Sequence, residues 1–142
     1  MLHEGYRSQA YDDGRGIYTI GYGTTIIDGR PVQPGDRIDP VSALKAMDAH
    51  LDDVQRTLRR CLADVPLFAH EWDAFVSLAY NIGAHTFCRS TAAKLLRKSP
   101  PDYAGACEEI LRWHYAGGRS VPGLKKRREA EYRRCLGQGG KP

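Results

Sequence analysis

No stretch of this chain approaches the roughly 18 consecutive apolar residues of a membrane-spanning helix. No secretory leader is recognisable either, because Met1-Leu2-His3 runs straight into charged residues. The four cysteines, at 61, 88, 107 and 135, include no C-x-x-C element, so zinc is not expected and no metal or organic cofactor is implied. Aromatic residues are only 9% of the chain, and none interrupts the basic run 125–128. A nucleic-acid interface would want stacking residues there, so none is expected. There are also no internal repeats and no low-complexity segment.

What is present is an ordinary globular composition. The 142 residues are 42% hydrophobic and 27% charged, enough for one domain that buries about 70% of its unfolded surface. The net charge of +4 predicts solubility first and a weak attraction to anionic envelope polymers second. A monomer is expected. Two disulfides suit the cysteine count in an oxidising compartment, whereas a reducing one would leave four small buried hydrophobes.

One stretch concentrates chemistry, Glu4 to Thr25, E-G-Y-R-S-Q-A-Y-D-D-G-R-G-I-Y-T-I-G-Y-G-T-T. It carries two acids and a hydroxyl, Glu4, Asp13 and Thr19, among glycines that break the backbone into turns and short strands. Two carboxylates near a hydroxyl suit acid-assisted attack of water on an acetal. On chemistry alone Asp12 rivals Asp13, and Thr19 reads equally as a β-branched strand residue.

The element pattern is a small β region followed by helices. Leu2 to Tyr11 is expected as the last turn of a helix and an extended link. Ile17–Ile20 reads as a strand, residues 23–27 as a second and Arg30–Val32 as a third, with Asp28-Gly29 as a two-residue hairpin turn and Pro31 confined to an edge. Asp39-Pro40 is a helix start, N-cap then first helical residue. Apolar residues at 44, 47, 51, 54, 58 and 62 predict one amphipathic helix from Pro40 to Leu62, a natural connector between two lobes. Ala69–Ile82 is apolar nearly all round and predicts a central buried helix ended by Gly83. Ser90 caps a helix to about Lys98, Asp102 caps another to about Trp113, Gly117-Gly118 marks a loop, and Pro122–Leu136 is a last helix. The expected fold is α+β and mostly helical, a single domain with a β lobe at 1–38, a connector helix at 39–62, a helical lobe at 63–136 and a flexible tail at 137–142.

The Glu4–Thr25 stretch resembles, without gaps, the N-terminal catalytic segment of phage-type lysozymes, the endolysins of glycoside hydrolase family 24. The patterns A-x-V-S-L-A-Y-N-I-G, F-x-x-S-T, R-W-x-x-A-G-G and G-L-x-x-R-R-x-x-E extend the similarity to the helical half of lambdoid-phage lysozymes. The resemblance runs from Glu4 to Leu136. It implies a lysozyme-like fold with a cleft between lobes, and hydrolysis of the β-1,4 bond between N-acetylmuramic acid and N-acetylglucosamine in peptidoglycan glycan strands, by inversion. It also selects Glu4 as proton donor, Asp13 as the residue that positions water, and Thr19 as a second holder of that water.

The same resemblance places Tyr80, Asn81, Ser90 and Thr25 as substrate-binding candidates, with an N-cap role explaining Ser90 equally well. Relatives often carry His where Thr24 stands, a departure that bears on lobe stability more than on the reaction. The resemblance pairs Cys107 with Cys135, and a bridge between Cys61 and Cys88 is expected beside it. Trp113 reads as core, and Lys125 to Arg128 as a solvated helix face with i,i+4 pairs to Glu129 and Glu131, or as the source of an arginine that reaches Glu4. The implied setting is a phage or prophage endolysin made in the host cytoplasm and acting on the wall from the periplasm. Export is expected through a holin or an N-terminal segment absent from this sequence, and the short lead into Glu4 is expected to limit turnover. The alternatives are a lytic transglycosylase, which needs the Glu but no water, and a non-catalytic basic wall- or membrane-binding protein on the same scaffold.

Overall fold

The computed structural model describes residues 7–12, 18–21, 26–27 and 30–138. The chain is mostly helical, with short antiparallel ribbons ahead of a helical cluster. Strand β1 (Arg7–Asp12) pairs antiparallel with β2 (Tyr18–Gly21), setting Tyr11 opposite Thr19 and Asp12 opposite Tyr18. A short ribbon follows, β3 (Ile26–Ile27) with β4 (Arg30–Pro31).

The extended link expected up to Tyr11 is found over Arg7–Asp12 as a paired strand. Its extended backbone is fixed by tertiary hydrogen bonding, to β2 on one side and from Ala10 N–H to the Asp36 carbonyl (2.9 Å) on the other. Local propensity is too weak to announce such pairing. Leu2 to Tyr6, Ile17, and the Asp28-Gly29 turn lie outside the described residues.

Helix α1 spans Pro40–Leu62, with the Asp39 carboxylate accepting from Ser42 N–H (2.8 Å) and Ser42 Oγ (2.9 Å). Those bonds, the one to the Ser42 backbone foremost, hold the Asp39 carboxyl below its ordinary pKa. The cap's contribution is therefore present above the unfolded value and lost only as pH falls through the lowered one. The predicted stripe is buried where it enters the cluster, at Val54, Leu58 and Leu62, but Leu44 near its start is exposed and Ala43 is buried in its place. Helix α1 touches β2 and packs on the helices that follow.

Helix α2 (Ala69–Ile82) is buried from Ala74 to Tyr80, as its all-round apolar character requires. Glu71 reaches back to the Phe68 N–H (2.7 Å) and closes its first turn, and Gly83, at φ 103°, ends it. Helix α3 (Ala84–Cys88) follows at once and was not legible in the pattern, since five residues carry no period. Helix α4 (Thr91–Leu96) starts from Ser90, and α5 (Tyr103–Glu109) starts from Asp102 and tightens into a 3-10 turn at Ile110–Arg112 rather than continuing as α-helix. The Gly117-Gly118 loop is the turn of a hairpin, β5 (Tyr115–Ala116) with β6 (Arg119–Ser120). Both glycines have positive φ (60° and 79°), the primed geometry that a two-residue hairpin needs. Helix α6 (Pro122–Cys135) then packs along α2.

The core lies among the helices, where Leu58, Phe75, Leu78, Phe87, Leu96 and Ile110 are fully buried and Trp113 packs against its edge. Each such side chain contributes about 1.5–3 kcal/mol by leaving water. Disulfides join Cys61 to Cys88 and Cys107 to Cys135. Over the first, Arg97 donates to both flanking carbonyls, Cys61 O (3.2 Å) and Cys88 O (3.0 Å).

Candidate functional site

The β1–β2 ribbon carries the candidate catalytic stretch. Thr19 sits within β2 opposite Tyr11, and Asp12 is the last residue of β1. Glu4, Asp13, Thr24 and Thr25 lie outside the described residues, and of Thr19 the backbone alone is described.

The candidate binding wall is the end of α2. Tyr80 is buried, with the His50 ring of α1 edge-on to it (centroids 4.5 Å apart) and His50 Nε2 3.5 Å from the Tyr80 carbonyl. Asn81 is half-buried in the last turn, and its Oδ1 accepts from Arg128 Nη1 (3.1 Å). Ser90 is buried, donates to the Phe87 carbonyl (2.6 Å) and accepts from Ala93 N–H (3.3 Å). A hydroxyl has one hydrogen to give, so the fold uses Ser90's donor and one of its two acceptor positions. Tyr80 and Asn81 are thus brought together, while Ser90 serves the start of α4.

Behind Asn81 lies a charged group that the sequence pattern did not place. Arg128 is fully buried, which corrects the reading of residues 125–128 as one solvated face. Its partner is Glu131, also fully buried, three residues on and not four. Arg128 Nε lies 2.7 Å from Glu131 Oε1, an ion-pair approach, and Nη2 donates to Oε2 (3.0 Å). Ser77, one turn before Asn81 on α2, donates to the same Oε2 (2.5 Å). Burial pushes the Glu131 pKa above its ordinary value, against the pull of Arg128, the Ser77 bond and the charge of Arg127. The available signal was the spacing: 77 with 81, and 128 with 131, each place two polar groups on one helix face. Nothing in α6 alone, with its many charges, says that one such face is buried.

Among the described residues no group of three His, Cys, Asp or Glu side chains is arranged to hold a metal ion. Among them, too, no helix is long and apolar enough to cross a membrane.

Comparison with known proteins agrees with this layout. The phage lysozyme family model matches residues 1–131. The SAR-endolysin of bacteriophage PS119 is 36% identical over 135 residues, covering 94% of this chain and 76% of the relative. The endolysin of Salmonella phage P22 is 36% identical over 115 residues, 80% of this chain and 77% of its own length. Among solved structures, the endolysin from Escherichia coli O157:H7 phage FAHEc1 superposes with a TM-score of 0.74 at 35% identity, covering 94% of this chain and 85% of that one. A family match spanning both the β1–β2 ribbon and the α2–α6 wall, together with relatives of such identity and coverage, means that the chain belongs to the phage lysozyme family.

Proposed function

We propose that this protein is an endolysin of the muramidase type, which hydrolyses the β-1,4 bond between N-acetylmuramic acid and N-acetylglucosamine in bacterial peptidoglycan. The observation that carries the reading is the family match over residues 1–131, a span that includes Glu4, Asp13, Thr19, Tyr80 and Asn81. In this reading residues 1–38 and 63–136 are two lobes with a cleft between them, and α1 is the connector.

Cleavage of an acetal needs a proton on the leaving oxygen and a nucleophile at the anomeric carbon. Glu4 donates the proton, which requires surroundings that keep it protonated near neutral pH. Asp13 deprotonates a water molecule on the opposite face of the sugar, and Thr19 holds that water through its hydroxyl. The bond from the anomeric carbon to the leaving oxygen breaks as the bond to water forms, and the configuration inverts. Inversion requires a carboxyl separation of about 6.5–9.5 Å, whereas a retaining enzyme would need about 5 Å. Tyr80 and Asn81 supply a binding wall, with an amide suited to N-acetyl groups. Residues outside these, Thr25 and Ser90, are secondary contacts.

The two disulfides fit action in an oxidising periplasm, reached through a holin or an upstream export segment. Digestion of purified peptidoglycan followed by mass spectrometry tests the reaction. Hydrolysis is expected to give reducing muramic acid ends, each product one water heavier than its anhydro counterpart. Anhydro products would assign a lytic transglycosylase instead.

A further inference from the structure

The C-terminal ends of three helices meet around the Cys61–Cys88 bridge. Cys61 lies in the last turn of α1, Cys88 is the last residue of α3, and Arg97 directly follows α4 as its C-cap. A helix leaves its final carbonyls without partners inside the helix, and that end carries a partial negative charge. The Arg97 guanidinium answers both needs at two helices. Its Nη1 donates to the Cys61 carbonyl (3.2 Å) and its Nη2 to the Cys88 carbonyl (3.0 Å). One rigid fork thus spans the same two residues that the sulfurs join. The second bridge is built differently. There His70 Nδ1 lies 3.2 Å from the Cys135 carbonyl, and among the described residues no side chain donates to the carbonyls of both Cys107 and Cys135.

We propose that Arg97 is a positioning residue for oxidation of Cys61 and Cys88: its two-pronged contact keeps the ends of α1 and α3 together while the thiols are reduced, so the bridge closes from an aligned pair. Closure forms one S–S bond as the two thiols give up two protons and two electrons. A small-molecule disulfide such as oxidised glutathione takes them and leaves as two thiols. The clamp raises the effective concentration of one thiol at the other, and so lets the bridge form in less oxidising surroundings. The coupling is reciprocal, because the closed bridge also holds the two carbonyls where one fork reaches both. None of this rests on the muramidase reading.

The test equilibrates the full chain in glutathione buffers of graded ratio. Each bridge is scored separately, by alkylation of free thiols and mass spectrometry of the peptides. Arg97→Ala is expected to lower the oxidation equilibrium constant of Cys61–Cys88 by about threefold to tenfold, the worth of about one hydrogen bond, since both contacts are exposed to water. The constant for Cys107–Cys135 is expected to stay within about twofold of wild type. Arg97→Lys keeps the charge without the fork and is expected to fall between the two. An unchanged Cys61–Cys88 constant in Arg97→Ala would overturn the proposal. So would an equal fall at both bridges, the mark of a lobe loosened as a whole. Full rescue by lysine would overturn it too, by making charge at the helix ends sufficient.

Discussion

Replacing Glu4 by glutamine is expected to lower peptidoglycan turnover by about 10²–10⁴-fold, the usual contribution of a general acid. Glutamine keeps the shape and a hydrogen-bonding head but has no dissociable proton for the leaving oxygen. The loss should therefore fall on kcat, with KM and thermal stability close to wild type. Turbidity of permeabilised Gram-negative cells measures lysis, and release of reducing ends from purified wall measures turnover. Equal lysis by wild type and Glu4→Gln would exclude the enzymatic account and favour disruption by a basic binding protein. A raised KM with unchanged kcat would instead make Glu4 a binding residue.

Reduction of the two disulfides is expected to have the largest effect on stability. The bridges have sequence separations of 27 and 28 residues. In the chain-entropy view, closing loops of this length contributes about 3.5 kcal/mol each. The closed stretches, 61–88 and 107–135, do not overlap, so the contributions add to a first approximation. Their sum, about 7 kcal/mol, is comparable to the whole stability of a typical domain, about 5–15 kcal/mol. Thermal unfolding with and without a phosphine reductant checks this, with an expected fall in Tm on the order of 20 °C. A fall of a few degrees would show that helix packing carries the lobe without its bridges. If the large fall is found, the bridges supply much of the stability, which suits the action in an oxidising periplasm proposed above.

The sequence was most informative where one residue type has one physical use. Asp39-Pro40 fixes a helix start, and the apolar spacing through Leu62 fixes its extent, so α1 was legible to the residue at both ends. Gly83, Ser90 and Asp102 marked boundaries for similar reasons. The pattern failed where structure depends on partners distant in the chain. Strand β1 is extended because β2 and the segment around Asp36 pair with it, and nothing in Arg7–Asp12 alone demands that. Arg128 and Glu131 look like two more charges on a charged helix, and only the contact with Ser77 and Asn81 of α2 makes them interior. On the candidate site, Glu4, Asp13 and Thr19 are proposed from spacing and resemblance, and Glu4 and Asp13 lie outside the described residues. What holds Asn81 required the packed structure.

Helix α1 also has a gradient along its length. Its first turns expose Val41 and Leu44 and bury Ala43, whereas its later turns bury Val54, Leu58 and Leu62 and end at the Cys61–Cys88 bridge. Local opening costs least where few apolar contacts are lost. Amide protons in the first two or three turns should thus exchange with deuterium about 100-fold faster than those of the last three, a gap of roughly 2–3 kcal/mol in opening free energy. Uniform protection along the helix would contradict this. A rod clamped at one end and loose at the other can lose a few hydrogen bonds at its start with the core undisturbed.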